Sequence, residues 1–234
     1  MNFLLDILFP KKCVGCRKEG SYFCQDCIAN ILQKDLICPQ CEDLAISGQT
    51  HSMCKRRFGL DGLWSLGIYQ GPLKIAIQKL KYEPSLVRDF APVLMEILIK
   101  YWLDYQPFIL DLIKKSKGVG WTVIPVSLHW FKENNRGFNQ SKLIGQLLSK
   151  KLGLAYCDGL KRVRYTTSQV KLKRKNRKSN IKDAFEISKS YTLNPIPYVL
   201  LIDDVWTTGS TLRECCYVLK RAGAKKVWAL TLAR

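Results

Sequence analysis

The densest chemistry in this sequence lies at residues 199–214, VLLIDDVWTTGSTLRE: four apolar residues, two adjacent acids, and a Thr/Gly/Ser-rich turn leading into a helical pattern. In an open parallel sheet the ligand crevice lies beyond the carboxyl ends of the strands, and a helix amino terminus offers free backbone N–H groups to an anion. The string therefore predicts a phosphate held at Thr207, Thr208, Gly209, Ser210 and Thr211. Gly209 lets the backbone approach the phosphate and the hydroxyls add donors. Asp203 and Asp204 accept hydrogen bonds when ionised and would repel a phosphate. Their natural partners are the hydroxyls of a sugar joining that phosphate to a reactive carbon.

A second cluster of chemistry occupies the amino-terminal part. Seven of the ten cysteines lie between Cys13 and Cys54, arranged as Cys13-x2-Cys16, Cys24-x2-Cys27, Cys38-x2-Cys41 and His51-x2-Cys54. Each pair can offer two ligands to one metal from a tight turn, and zinc prefers four N or S ligands, so eight candidates supply two closed sites. Strict two-residue gaps without a secretion signal favour zinc over disulfides. Pairing first knuckle with second and third with fourth is preferred, because RKEGSYF can turn as a hairpin and IANIL can begin a helix; interleaved pairing stays open. A closed shell leaves no position for substrate, so about two structural zinc ions are expected to support a segment too polar to fold alone, without touching the chemistry.

With 234 residues the chain can bury one ordinary core and carry a small metal-stabilised module, giving units at 1–58 and 59–234. A formal charge of +19 predicts a surface that attracts polyanions. Residues 161–182 hold ten basic side chains and no acidic one, which reads as either a solvated loop or an anion-binding one. The opening MNFLLDILFP is too short to span a bilayer and reads as a short amphipathic helix docked on the protein. No later apolar run is long enough to cross a membrane, so a cytoplasmic, soluble protein is expected.

The elements that must position these residues follow from periodicity. Strands are predicted at 63–69, 121–126, 160–163, 198–203 and 226–232. Helices are predicted at 73–81, 86–101, 139–151 and 211–222, the second of them from apolar residues at three- and four-residue intervals between Pro84 and Pro107. Alternating strands and helices, with strands apolar throughout, indicate an α/β protein whose parallel sheet is covered on both faces. Cys157, Cys215 and Cys216 read as packing residues. Trp206 either covers the sugar or packs on the sheet.

The thirteen positions 199–211 resemble the phosphoribosyl pyrophosphate (PRPP) signature of type I phosphoribosyltransferases: four apolar residues, two acids, two apolar residues, then TTGxT. IPVSLHWFKENNRGFNQSKLI, LKRVRYTTSQVKLKRKNRKSNIKDAF and the four knuckles together resemble the ComF family of competence-associated proteins over nearly the whole chain. The resemblance implies a type I phosphoribosyltransferase fold. It implies that Ser127, Leu128 and His129 form the pyrophosphate loop, and that Arg136, Gly137, Phe138 and Asn139 form an RGFN element in which Arg136 meets an anion. The basic segment would correspond to a mobile loop closing over PRPP, with Arg162, Arg164, Thr166, Gln169, Arg174, Arg177 and Asn180 at matching positions. On the residue alone, His129 reads more readily as a satisfied loop side chain. The chain departs from the family at Thr167-Ser168, where a Pro-Pro pair is usual, and at His51-x2-Cys54, where a fourth C-x2-C is usual; neither removes a necessary group.

The activity so implied is magnesium-dependent phosphoribosyl transfer. Magnesium and arginines would neutralise departing pyrophosphate, while Asp203 and Asp204 would hold the ribose. The alternative is a non-catalytic competence factor that binds single-stranded DNA on a transferase scaffold and works with the competence machinery. No sequence feature identifies a phosphoribosyl acceptor.

Overall fold

The structure, a computed structural model, describes residues 10–31, 35–105, 111, 113, 120–164, 181–188 and 198–234, apart from the side chains of 84–86, 102, 103, 105, 132 and 136. Strands β1 (Gly62–Gly67), β2 (Trp121–Pro125), β3 (Ala155–Tyr156), β6 (Tyr198–Val205) and β7 (Lys226–Ala233) form one five-stranded parallel sheet in the order β1-β7-β6-β2-β3. Between β3 and β6 in the chain, β4 (Leu160–Arg162) and β5 (Phe185–Ile187) pair antiparallel as a separate ribbon. The predicted strand at 160–163 therefore belongs to this ribbon and not to the parallel sheet. The basic segment is the connection between its two strands.

The described helices are α1 (Gln25–Ala29), α2 (Gly71–Tyr82), α3 (Pro84–Tyr105), α4 (Trp130–Arg136), α5 (Gln140–Leu152) and α6 (Ser210–Arg221). Along a strand, successive side chains point to opposite faces. Leu200 and Ile202 of β6 accordingly join a core built with α2, α3 and α5, whereas Val199 and Leu201 join one built with α6 and the β4/β5 ribbon. Apolar material on both sides is what made these strands read as continuous hydrophobic runs. The central position of β6, between β7 and β2, puts residues 203–205 at the carboxyl edge in the middle of the sheet.

The cysteine-rich segment packs on this body. Val14, Phe23 and Ile31 share a core with Trp64 and Phe90, and Phe23 meets Phe90 edge-to-face at 5.9 Å. Ile37 joins Leu60 and Leu63 in the other core. The second knuckle pair also lies along β1: Gln49 bridges Gly62, Thr50 Oγ1 donates to the Leu60 carbonyl, and Trp64 Nε1 donates to the Ser47 carbonyl at 3.1 Å. The helix read at residues 1–10 lies outside the described residues. Among the described residues no helix is long and apolar enough to cross a membrane.

Candidate functional site

Asp203 and Asp204 stand near the carboxyl end of β6, and α6 starts at Ser210. The turn between them is closed by Gly209, the N-cap of α6, at φ +67°. Glycine is required there twice over: that φ disfavours side chains, and a Cβ at 209 would come within 2.3 Å of the Trp206 ring. Trp206 itself is buried in the α6-side core, so it packs on the sheet. Thr208 is buried with its Oγ1 2.9 Å from Ser210 Oγ, Thr207 is exposed, and Ser210 and Thr211 are half-buried. The result is an amino-terminal helix end, flanked by hydroxyls, directly beyond two carboxylates.

The two carboxylates sit in different surroundings. Asp203 Oδ1 accepts from Ser141 Oγ at 3.2 Å and from the Asp204 backbone N–H at 2.9 Å. Burial, reinforced by the neighbouring charge of Asp204, pushes the Asp203 carboxyl up to about 7. Asp204 instead meets Lys81 Nζ at 2.9 Å. Burial works against the ammonium of Lys81, but the Asp204 charge and hydrogen bond more than offset it and hold Lys81 above its ordinary value. Lys81 and Ser141 were not singled out by sequence reasoning. Lys81 ends an amphipathic helix and reads as a solvated residue until β6 is placed beside it.

The loop after β2 adjoins this pair, because the Val126 N–H donates to the Ile202 carbonyl at 2.8 Å. Ser127 is buried and its hydroxyl donates to the Leu160 carbonyl; Leu128 is half-buried. His129 is buried at the N-cap of α4, where Nδ1 accepts from the Phe131 N–H at 3.3 Å, and its backbone bridges Arg162. That is the satisfied-loop reading of this histidine. Asn139 is likewise a cap: its Oδ1 accepts from the N–H groups of Ser141 and Lys142 while its Nδ2 donates to the Val126 carbonyl at 3.1 Å. It thereby pins the start of α5, and with it Ser141, to the end of β2.

Of the arginines, Arg136 is the last residue of α4, followed by Gly137 in the left-handed conformation. Arg162 is buried against the Phe185 ring, its guanidinium 5.2 Å from the centroid. Arg164 is exposed and donates to the Lys182 carbonyl across the base of the basic connection. Gln169, Arg174 and Arg177, with Thr166 and Asn180, lie outside the described residues. Cys215 and Cys216 are fully buried in the α6-side core, as packing residues should be.

The cysteines form two groups able to hold a metal ion: Cys13, Cys16, Cys24 and Cys27, and Cys38, Cys41, His51 and Cys54, with the ligand atoms of each within 4.8 Å of one another. Sequential pairing is thus the arrangement found, and the interleaved one is not. Each group begins on a short antiparallel bridge, Lys12 with Glu19 and Ile37 with Leu44. The donor sets, four sulfurs in one and three sulfurs with one nitrogen in the other, fit zinc. His51 Nε2 donates to the Leu44 carbonyl at 2.8 Å, which leaves Nδ1, 3.4 Å from Cys41 Sγ, as the ligand nitrogen. Burial pushes the Cys13 and Cys38 thiols up, yet backbone N–H donors from Cys24, Cys16 and Gly15 to the first, and from Cys41, His51 and Gln40 to the second, bring them down to about 6 and about 7.

One further group lies between the two chemistries. Arg213, one turn into α6, donates from Nη1 to the Thr208 carbonyl at 2.7 Å and from Nε and Nη2 to the Pro39 carbonyl at 2.9 and 2.7 Å. Beside it opens a cleft of about 890 Å³ whose lining includes Arg56, Arg57, Phe58, Lys182, Ser210 and Tyr217.

No family model matches the chain. Competence protein F of Haemophilus influenzae is 30% identical over 250 aligned positions, covering all of this chain and 99% of that protein. DNA utilization protein YhgH of Salmonella typhi is 31% identical over 218, covering 88% of each chain, and competence protein ComFC of Streptococcus pneumoniae is 27% identical over 222, covering 93% of this chain and 90% of that protein. Similarity at this level, running from end to end, means that the chain belongs to the ComF family.

Proposed function

We propose that this chain is a PRPP-binding phosphoribosyltransferase with a type I fold, using magnesium and carrying two structural zinc ions in a module at residues 1–58. The observation that supports it best is the juxtaposition, at the carboxyl edge of the central strand, of Asp203 and Asp204 with the Gly209-capped start of α6. The 5′-phosphate would take the N–H groups and hydroxyls of the 207–211 turn, and the carboxylates would take the ribose hydroxyls. In the transfer, the bond from the anomeric carbon to the pyrophosphate oxygen breaks, the electron pair leaves with pyrophosphate, and an incoming nucleophile supplies the new bond. Magnesium would supply charge neutralisation of pyrophosphate. The carboxylates would stabilise positive charge on the ribose, and Lys81, 2.9 Å from Asp204 Oδ2, would hold that carboxylate in place. The relatives' names, competence and DNA utilization, lead us to assign this activity to DNA uptake by the competence machinery. Calorimetric titration with PRPP and magnesium is the test. Binding that disappears in the Asp203→Ala/Asp204→Ala double variant is expected, and wild-type protein indifferent to millimolar PRPP would overturn the reading.

A second reading, a single-stranded DNA-binding protein on this scaffold, is favoured by the cleft beside Ser210. It pairs cationic Arg56, Arg57 and Lys182 with aromatic Phe58 and Tyr217, the combination that grips a strand by phosphate attraction and base stacking. Reversing charge at Lys171, Lys173, Arg174 and Lys175 should weaken single-strand binding, and affinity should drop steeply with salt. Loss of DNA affinity with PRPP binding intact favours this reading; no DNA binding at low salt removes it.

A further inference from the structure

The 207–211 turn has a brace outside its own domain. Arg213 grips the Thr208 carbonyl, immediately before the Gly209 cap, with one nitrogen, and the Pro39 carbonyl with two others. Pro39 is the first residue inside the Cys38-x2-Cys41 knuckle, where Cys38 is fully buried and its carbonyl accepts from the Glu42 N–H at 2.9 Å. Glu42 Oε1 lies 3.5 Å from Arg213 Nη2, and the guanidinium lies 5.1 Å from the centre of the Trp206 ring, the same ring that leaves no room at Gly209. A planar guanidinium presents its donors in a fixed fork, so the position of one carbonyl dictates the position available to the other. The knuckle turn is in turn held by its metal, because without an ion four mutually repelling or protonated ligands have no reason to stay within bonding range.

We propose that Arg213 is a positioning residue that makes PRPP affinity depend on metal occupancy of the Cys38, Cys41, His51 and Cys54 quartet. The inference rests on the reading of residues 207–211 as the PRPP turn. Its physical content is that Arg213, itself no member of the quartet, holds one carbonyl of the knuckle and one of the turn and so transmits the geometry of one to the other. The first quartet, Cys13 to Cys27, has no such contact among the described residues, so it serves as the internal control.

The test uses the full chain in four variants, Arg213→Ala, Arg213→Lys, Cys54→Ser and Arg213→Ala/Cys54→Ser, with Cys16→Ser as control. PRPP affinity is read by calorimetry, zinc content by a chromogenic chelator, and amide exchange at 208–210 by mass spectrometry. Arg213→Ala should keep full zinc content while PRPP affinity falls about tenfold or more and exchange at 208–210 rises. Lysine should rescue little, since it keeps the charge but loses the fork. Cys54→Ser should lose one zinc and show the same fall, the double variant should fall no further, and Cys16→Ser should lose one zinc with amide exchange at 208–210 unchanged and a smaller fall in affinity than Cys54→Ser. Should Cys54→Ser fail to fold, graded zinc removal by chelator from wild type and Arg213→Ala replaces it: PRPP affinity should fall with zinc content in wild type and not in Arg213→Ala, and an equal dependence in both overturns the inference. Wild-type affinity in Arg213→Ala, or full rescue by lysine, overturns the inference while the Asp203/Asp204 variant keeps the PRPP reading intact. Absence of PRPP binding in wild-type protein overturns the reading first, and the inference with it.

Discussion

Lys81 Nζ lies 2.9 Å from Asp204 Oδ2, bridging the end of α2 and the end of β6, with the two side chains only 20% and 18% exposed. Breaking such a partly buried pair from one side leaves an uncompensated charge. Lys81→Met is expected to cost about 1–3 kcal/mol of stability near neutral pH and at least tenfold in PRPP affinity. Because folding raises the Lys81 pKa, its contribution is present at neutral pH and is lost as pH climbs through the higher folded value. Urea unfolding of both proteins from neutral to strongly alkaline pH should show their stabilities converging.

The companion carboxylate shifts in the same direction, in a lower pH window. Asp203 is raised to about 7, so the folded protein holds its proton more tightly than the unfolded chain does. Its ionisation therefore removes stability as pH rises from the ordinary carboxylate range toward about 7. Asp203→Asn should be more stable than wild type by about 1–3 kcal/mol at slightly alkaline pH, and no more stable at acidic pH. PRPP binding, which needs the ionised acceptor, should strengthen between about pH 6 and 8 in wild type and lose that component in the variant. Equal pH profiles for the two proteins would count against this role.

Gly209→Ala places a methyl group where the Trp206 ring already lies and forces alanine into the left-handed region. A ring held by a packed core cannot swing away as a long flexible chain would, so destabilisation of about 2–4 kcal/mol is expected. Tryptophan fluorescence should change with it. Trp206→Leu in the same chain should recover part of the loss, which a purely conformational penalty would not allow.

Metal analysis should find two zinc ions per chain, and chelation should release both with loss of the folded amino-terminal part. The Asp43 backbone N–H draws the Cys41 thiol down, but partial desolvation and the Asp43, Cys38 and Cys54 side chains together outweigh it and push it up to about 12; in Cys27, burial keeps the proton on sulfur. Zinc uptake by metal-free protein must therefore expel protons. Calorimetry in buffers of different ionisation enthalpy should report at least one proton per quartet, and affinity should weaken on acidification. A single zinc per chain would leave one quartet without its ion.

The parts of this protein legible in its sequence were those where one local pattern carries the whole message. Residues 199–211 announce a buried strand, two acids and a capped turn because every determinant is contiguous, and each knuckle announces itself by two residues three apart. The β4/β5 ribbon was half missed: Phe185, Glu186 and Ile187 make a strand of three residues that pairs with Leu160, Lys161 and Arg162 across a long connection and packs on α6, contacts that no local pattern reveals. β3 is two residues long and gives no periodicity to read. α3 runs through Pro92, a residue that by itself argues for a break. Lys81 and Arg213 were invisible for another reason. Each looks like an ordinary cation on a helix surface, and their partners, Asp204 and Pro39, lie 123 and 174 residues away.

The seat of β7 between β1 and β6 has a consequence for biosynthesis. Both neighbours precede it in the chain, β1 by more than 150 residues, so during translation each waits with one hydrogen-bonding edge bare until residues 226–233 leave the ribosome. Those waiting strands carry apolar runs, Leu63 to Leu66 with one serine in β1 and Val199 to Ile202 in β6, the kind of edge that recruits other chains. The knuckles precede β1 in the chain and could fold around zinc before it pairs, and Ser47 and Gly48 lie against β1 residues Trp64 and Leu63. With zinc in the quartets, metal supply during synthesis would bear on yield as well as on the finished molecule, by shielding a nascent strand before its permanent partner exists.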